Sequence, residues 1–159
     1  MSRKGQSKIR EIHPDAVYSN VLVSRLINYS TKDGKKMASQ KQVYDALELI
    51  KKETKQNPVE IFEISLDNIR PKVEVRPRRI GGSVYQVPTP VRTHRQNSLA
   101  IRWLVNASRS RPNKQFHSFA EKLAAEILAA HKNEGSAVTK RTEVERMADA
   151  NKAFAHLRW

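Results

Sequence analysis

Between Pro71 and Pro90 the apolar period of this chain changes from helical, about 3.6 residues, to strictly alternating. Val73 and Val75 alternate with Lys72, Glu74 and Arg76, then Gly81-Gly82 interrupts, and Val84, Tyr85, Gln86 and Val87 follow. That pattern predicts a two-stranded β-ribbon at about 72–88 inserted into a helical chain. Pro77 cannot donate to a central ladder, so its strand must be an edge, and a two-stranded ribbon consists only of edges. With no broad apolar face of its own, the ribbon is expected to project from the body and be fixed by what it grips.

The rest reads as helix. Leu22, Val23, Leu26 and Ile27 recur at helical spacing behind Ser19, a possible N-cap. After the Asp33-Gly34 break, Met37, Val43, Ala46, Leu47 and Ile50 share one face of a second helix. Asn57-Pro58 opens a third, with Asn57 as cap, Glu60 three residues on, and Ile61, Phe62, Ile64, Leu66 and Ile69 as its buried side. Leu99, Trp103 and Leu104 mark a fourth helix to about Ser108, and Phe116, Phe119, Leu123, Ile127 and Leu128 a fifth. The last carries Val138, Val144, Met147, Phe154 and Leu157 and begins either near Ala137 or at Thr142, where Thr142 and Glu145 match a capping box. The expected fold is mainly α, a six-helix bundle with a projecting two-stranded β-ribbon. A chain of 159 residues suits one such domain, 19–159, preceded by a basic arm, 1–18, containing Arg3, Lys4, Lys8 and Arg10.

Charge points to the partner. The chain holds 30 Lys plus Arg against 16 Asp plus Glu, and from Val75 through Ala120 it has no acidic residue. Arg76, Arg78, Arg79, Arg92, Arg95, Arg102, Arg109, Arg111 and Lys114 all fall in that window. Mixed, scattered charge keeps proteins soluble; a one-sided stretch attracts a polyanion. Arginine forks grip two phosphate oxygens and stack on bases, which favours nucleic acid over an acidic protein.

Arg76, Arg78 and Arg79 around a Gly-Gly turn, with Tyr85 opposite, form the sharpest candidate contact. Gly81-Gly82-Ser83 is not a phosphate-binding P-loop, since neither the lysine nor the following helix is there. Lys35 and Lys36 at a helix start suit a phosphate or a solvated turn. Trp103 reads as core in preference to a stacking platform, and Arg102 as a phosphate ligand or a surface charge. Glu143, Glu145 and Asp149 lie among Lys140, Arg141, Arg146 and Lys152 at ion-pair spacing. No catalytic constellation can be assembled, the five histidines lack metal-binding spacing, and there is no cysteine. No cofactor, metal, small-molecule substrate or membrane partner is expected, and no apolar run reaches the about 20 residues of a membrane span.

Asn68-Ile69-Arg70-Pro71-Lys72-Val73-Glu74-Val75-Arg76-Pro77-Arg78-Arg79-Ile80-Gly81-Gly82-Ser83-Val84-Tyr85-Gln86-Val87-Pro88 resembles the signature of the small-subunit ribosomal protein S-seven family. So do Asp33-Gly34-Lys35-Lys36, Ala100-Ile101-Arg102-Trp103-Leu104, and the ending from Arg146 to His156; His156-Leu157-Arg158-Trp159 is similar to the bacterial branch. The stretch Asn113–Ser118 matches loosely and lacks the family's usual Met. The resemblance implies a cytoplasmic, non-enzymatic protein that binds the 3′ major domain of small-subunit rRNA and nucleates assembly of the head. It implies a place near the exit-site tRNA, the mRNA exit path and protein S-eleven. By that carry-over Arg76, Arg78, Arg79 and Tyr85 meet rRNA, while Ile80, Gly81 and Gly82 approach the tRNA; by their charge Lys35, Lys36, Lys72, Arg92, Arg95, Arg102, Arg109, Arg111, Lys114 and the arm are further rRNA-binding candidates. The alternative is an architectural DNA-binding protein using basic β-arms, with Pro77 as a wedge.

Overall fold

A computed structural model of the chain describes Gly5 and residues 11–158; Arg3, Lys4, Lys8 and Arg10 lie outside the described residues. The order is α1 (Val21–Ser30), α2 (Lys36–Thr54), α3 (Pro58–Ile69), β1 (Val73–Ile80), β2 (Ser83–Pro90), α4 (Thr93–Ser110), α5 (Phe119–His131) and α6 (Ser136–Ala150). A 3-10 helix, Lys152–Leu157, ends it. The mainly helical architecture with one antiparallel hairpin matches the sequence expectation.

Helix α5 is the axis of the bundle, packed on α2, α3 and α4, with Leu123 and Ile127 at 0% exposure. Around it Leu26, Leu47, Ile50, Phe62, Leu66, Ile101 and Leu104 close one core. Asn57 caps α3 by accepting from the Val59 N–H at 3.1 Å, as its sequence predicts. Other boundaries differ. Asn20, not Ser19, caps α1, accepting from the Leu22 N–H at 2.7 Å. Helix α6 starts beside Ala137 behind Gly135, and Thr142, inside it, donates back to the Val138 carbonyl. Phe116 precedes α5, which Ser118 caps. The last apolar pattern is split, since Phe154 and Leu157 belong to the 3-10 helix. Met37 (79% exposed), Ile64 (47%) and Met147 (50%) face outward, because the helical repeat turns each of them well away from the buried face of its helix.

The ribbon register pairs Val73 with Pro90, Arg78 with Tyr85 and Ile80 with Ser83. Gly81 and Gly82 make the turn at φ of 55° and 88°, left-handed backbone that a two-residue hairpin turn requires. Only the end beyond the Arg78–Tyr85 pair stands clear of the body. At its foot, β1 lies on α6 and β2 on the 3-10 helix. Val87 is fully buried there, and the Tyr85 ring meets Phe154 at 5.4 Å. The ribbon's missing apolar face is therefore supplied by the C-terminus, about seventy residues on in the chain.

Candidate nucleic-acid interface

The pleat of β1 sends alternate side chains to opposite faces, and at the foot of the ribbon it turns Glu74 inward, 6% exposed. Its carboxylate accepts from Arg76 Nε at 2.7 Å and from Arg95 Nε at 2.9 and 2.7 Å. Arg76 is two residues away on β1, and Arg95 lies in the first turn of α4. Burial works to raise the Glu74 pKa, but the hydrogen bonds and charges of Arg95 and Arg76 prevail and hold it below the ordinary glutamate value. Arg78 and Arg79 are exposed further out, opposite Tyr85 and Val84. Ile80, Gly81 and Gly82 form the tip, and a Cβ added at either glycine would meet nothing within 4 Å, leaving the turn open to close approach by a partner.

Helix α4 connects this ribbon to the opposite end of the molecule. Arg95, Arg102 and Arg109 recur every seven residues, so they lie along one side of α4, spaced by about 10 Å. Arg102 stands over the Tyr29 ring of α1, 5.9 Å from its centroid. Arg109 donates through Nη2 to the Ser30 carbonyl at 3.0 Å. Its cleft is shared with Lys32 and Lys35, beside the start of α2. That start has no acidic residue in its first turn and no side-chain cap. Lys35 and Lys36 are exposed, as are Lys72 and Arg92 at the two ends of the ribbon. Two basic residues absent from the sequence expectation belong here: Lys32 in the turn and Arg25, half-buried on α1 with its Nε unpartnered. Arg25 precedes Tyr29 by one helical turn, a spacing that, combined with the seven-residue stripe on α4, was available in the sequence.

The loop between α4 and α5 is held from below. Glu126 of α5, 0% exposed, accepts from Arg111 Nε at 2.7 Å and from the Ala137 N–H at 3.0 Å, so one carboxylate anchors the loop and caps α6. Gly135 permits this: its φ is 95°, and a Cβ there would lie 2.9 Å from Glu126 Oε1. One turn earlier Lys122 donates to the Arg111 carbonyl at 2.7 Å and to Asn113 at 2.5 Å. Glu121 accepts from the His117 N–H, which holds its pKa below the usual carboxylate range. Arg111 stacks over Phe116 at 5.5 Å and is largely committed to the protein, whereas Lys114 is exposed.

Three of the nine basic residues in the acid-free window thus pair with carboxylates just outside it, Glu74 and Glu126, which corrects the expectation that the whole window is uncompensated. Two of them remain half exposed: the Arg76 and Arg95 side chains are 53% and 50% accessible. The structure brings Arg76, Arg78, Arg79, Arg92, Arg95, Arg102 and Arg109 onto the ribbon and α4, and leaves Arg111 mainly an internal strut. The pairs on α6 are local, Lys140 with Glu143 and Arg141 with Glu145. Among the described residues no group of acids and histidines is arranged to hold a metal, and no helix is long and apolar enough to cross a membrane.

The family model described as ribosomal protein S7p/S5e matches residues 2–152. The chain belongs to that family. Among its relatives, a Thermotoga petrophila protein named small ribosomal subunit protein uS7 is 48% identical over 157 residues, 99% of each chain. Proteins of the same name from Azorhizobium caulinodans and Rubrobacter xylanophilus are 47% and 50% identical over 159 residues, the full length of both partners. The matches to the last two relatives extend over the ribbon, α4 and the C-terminal segment alike.

Proposed function

We propose that this chain is a structural constituent of the small ribosomal subunit that binds rRNA of the 3′ major domain, through the ribbon and the arginine side of α4. The observation that carries the reading is the joining of Arg76, Arg95, Arg102 and Arg109 into one basic track from the ribbon to the start of α2, in a chain whose relatives are small-subunit proteins. Phosphate contacts supply affinity along this track. Specificity comes from the shape of folded RNA, because the A-form major groove is too narrow for side chains to read.

In this reading the protein nucleates head assembly, and the exposed tip Ile80–Gly82 lies toward the exit-site tRNA and the mRNA exit path. Protein S-eleven is a neighbour. The arm residues Arg3, Lys4, Lys8 and Arg10 add phosphate contacts. The role is structural, exercised in the cytoplasm on the ribosome. The test is treatment of a lysate containing tagged protein with ribonuclease or deoxyribonuclease, followed by sedimentation. Ribonuclease should release the protein from small-subunit-sized particles and deoxyribonuclease should not; release by deoxyribonuclease alone would replace this reading with an architectural DNA-binding one.

A further inference from the structure

Glu74 is the acidic residue at the foot of the RNA-binding ribbon, and its presence there runs against simple electrostatics. A carboxylate on such a surface repels phosphate, yet this one is placed beneath two guanidinium groups from different elements. Arg76 approaches it through Nε at 2.7 Å and Nη2 at 2.6 Å, and Arg95 through Nε at 2.7 Å. Without an anion between them, two guanidinium groups this close would repel and splay apart. With it, their planes are held on a common atom, Glu74 Oε1. Each guanidinium has five N–H groups in a rigid fork, so each keeps N–H groups beyond those it gives to Glu74. Both side chains are about half exposed although their shared carboxylate is buried.

We propose that Glu74 is a positioning residue for a phosphate seat, holding Arg76 and Arg95 side by side so that their outward N–H groups together receive one backbone phosphate of the RNA. The inference rests on the RNA-binding reading above and adds a residue that opposes RNA by charge but favours it by geometry. It also makes the angle between ribbon and α4 part of recognition, since the seat forms only when β1 and α4 are correctly juxtaposed.

That opposition gives the test its sign. Glu74→Gln removes a negative charge next to the RNA; bulk electrostatics alone would then tighten binding. The seat predicts about tenfold weaker binding to a transcript of the 3′ major domain. It also predicts a log affinity against log salt slope smaller in magnitude by about 1, the loss of one phosphate contact. In an Arg95→Gln background the same substitution should have no further effect. Folded E74Q protein that binds as tightly as the unmodified chain, or tighter, would overturn the seat while leaving the RNA reading intact. Should circular dichroism show that E74Q is unfolded, Arg95→Lys keeps the charge and removes the fork; it should cost about the same affinity and slope, and unchanged binding would overturn the seat equally. An unmodified chain that binds no RNA would sink the RNA reading and the seat with it.

Discussion

Glu126 illustrates what single residues decide here. Its carboxylate is fully buried and receives two unrelated donors, the Arg111 guanidinium and the first turn of α6. Removing one partner of a buried ion pair costs far more than an exposed pair is worth, because the survivor keeps its desolvation cost. Glu126→Ala should therefore destabilise the protein by about 3 kcal/mol, lowering Tm by roughly 6 to 12 °C in a chain of this size, as read by thermal denaturation. The exposed pair Lys140–Glu143, both side chains about half accessible, should change Tm barely at all when broken. A Glu126→Ala variant with unaltered Tm would mean that the loop and α6 are held by something else. At this scale the sequence misleads in one respect. Acid-free in sequence is not acid-free in space: Glu74 sits one residue before the window, Glu126 lies beyond its end, and both fold back onto its arginines.

Among the elements, the helices and the ribbon were legible because their signals are local. Asn57-Pro58 starts α3, and Gly81-Gly82 turns the hairpin, for reasons contained within four residues. What the ribbon rests on was not legible, because no local pattern tells that Phe154 will meet Tyr85 or that β2 will lie on the C-terminal 3-10 helix. Helix ends were misplaced by a residue or two where a neighbouring polar side chain supplied an equally good cap, as with Ser19 and Asn20. Phe116 fits the helical spacing of α5 although it lies before it, because an aromatic at the right spacing looks the same whether it packs in a core or under an arginine. The structure divides the ribbon into a packed foot and an outer half that is exposed except for Tyr85. Replacing residues 76–86 with a short Gly-rich turn should leave the helical circular dichroism signal nearly unchanged. Tm should fall slightly, from the lost Tyr85–Phe154 contact, and affinity for 3′ major domain RNA at least a hundredfold. Retained affinity would put the RNA site elsewhere on the bundle.

Across the whole molecule, charge is segregated along the chain. Helices α2 and α3 carry Asp45, Glu48, Glu53, Glu60, Glu63 and Asp67, whereas the ribbon beyond Glu74, α4 and the following loop carry none. A net charge of +14 on one domain repels itself, and this distribution concentrates the repulsion where a polyphosphate can relieve it. The most direct measurement is the salt dependence of binding to a 3′ major domain transcript. With Arg111 committed to Glu126 and Arg76 sharing a phosphate with Arg95, the ribbon, α4 and Lys114 provide about seven contacts. These contacts alone should make log affinity fall against log salt with a slope of magnitude about 5 to 6, and those of the arm, Lys35 and Lys36 should steepen it further. A slope of about 1 or 2, or equal affinity for an unrelated RNA of the same length, would contradict the account.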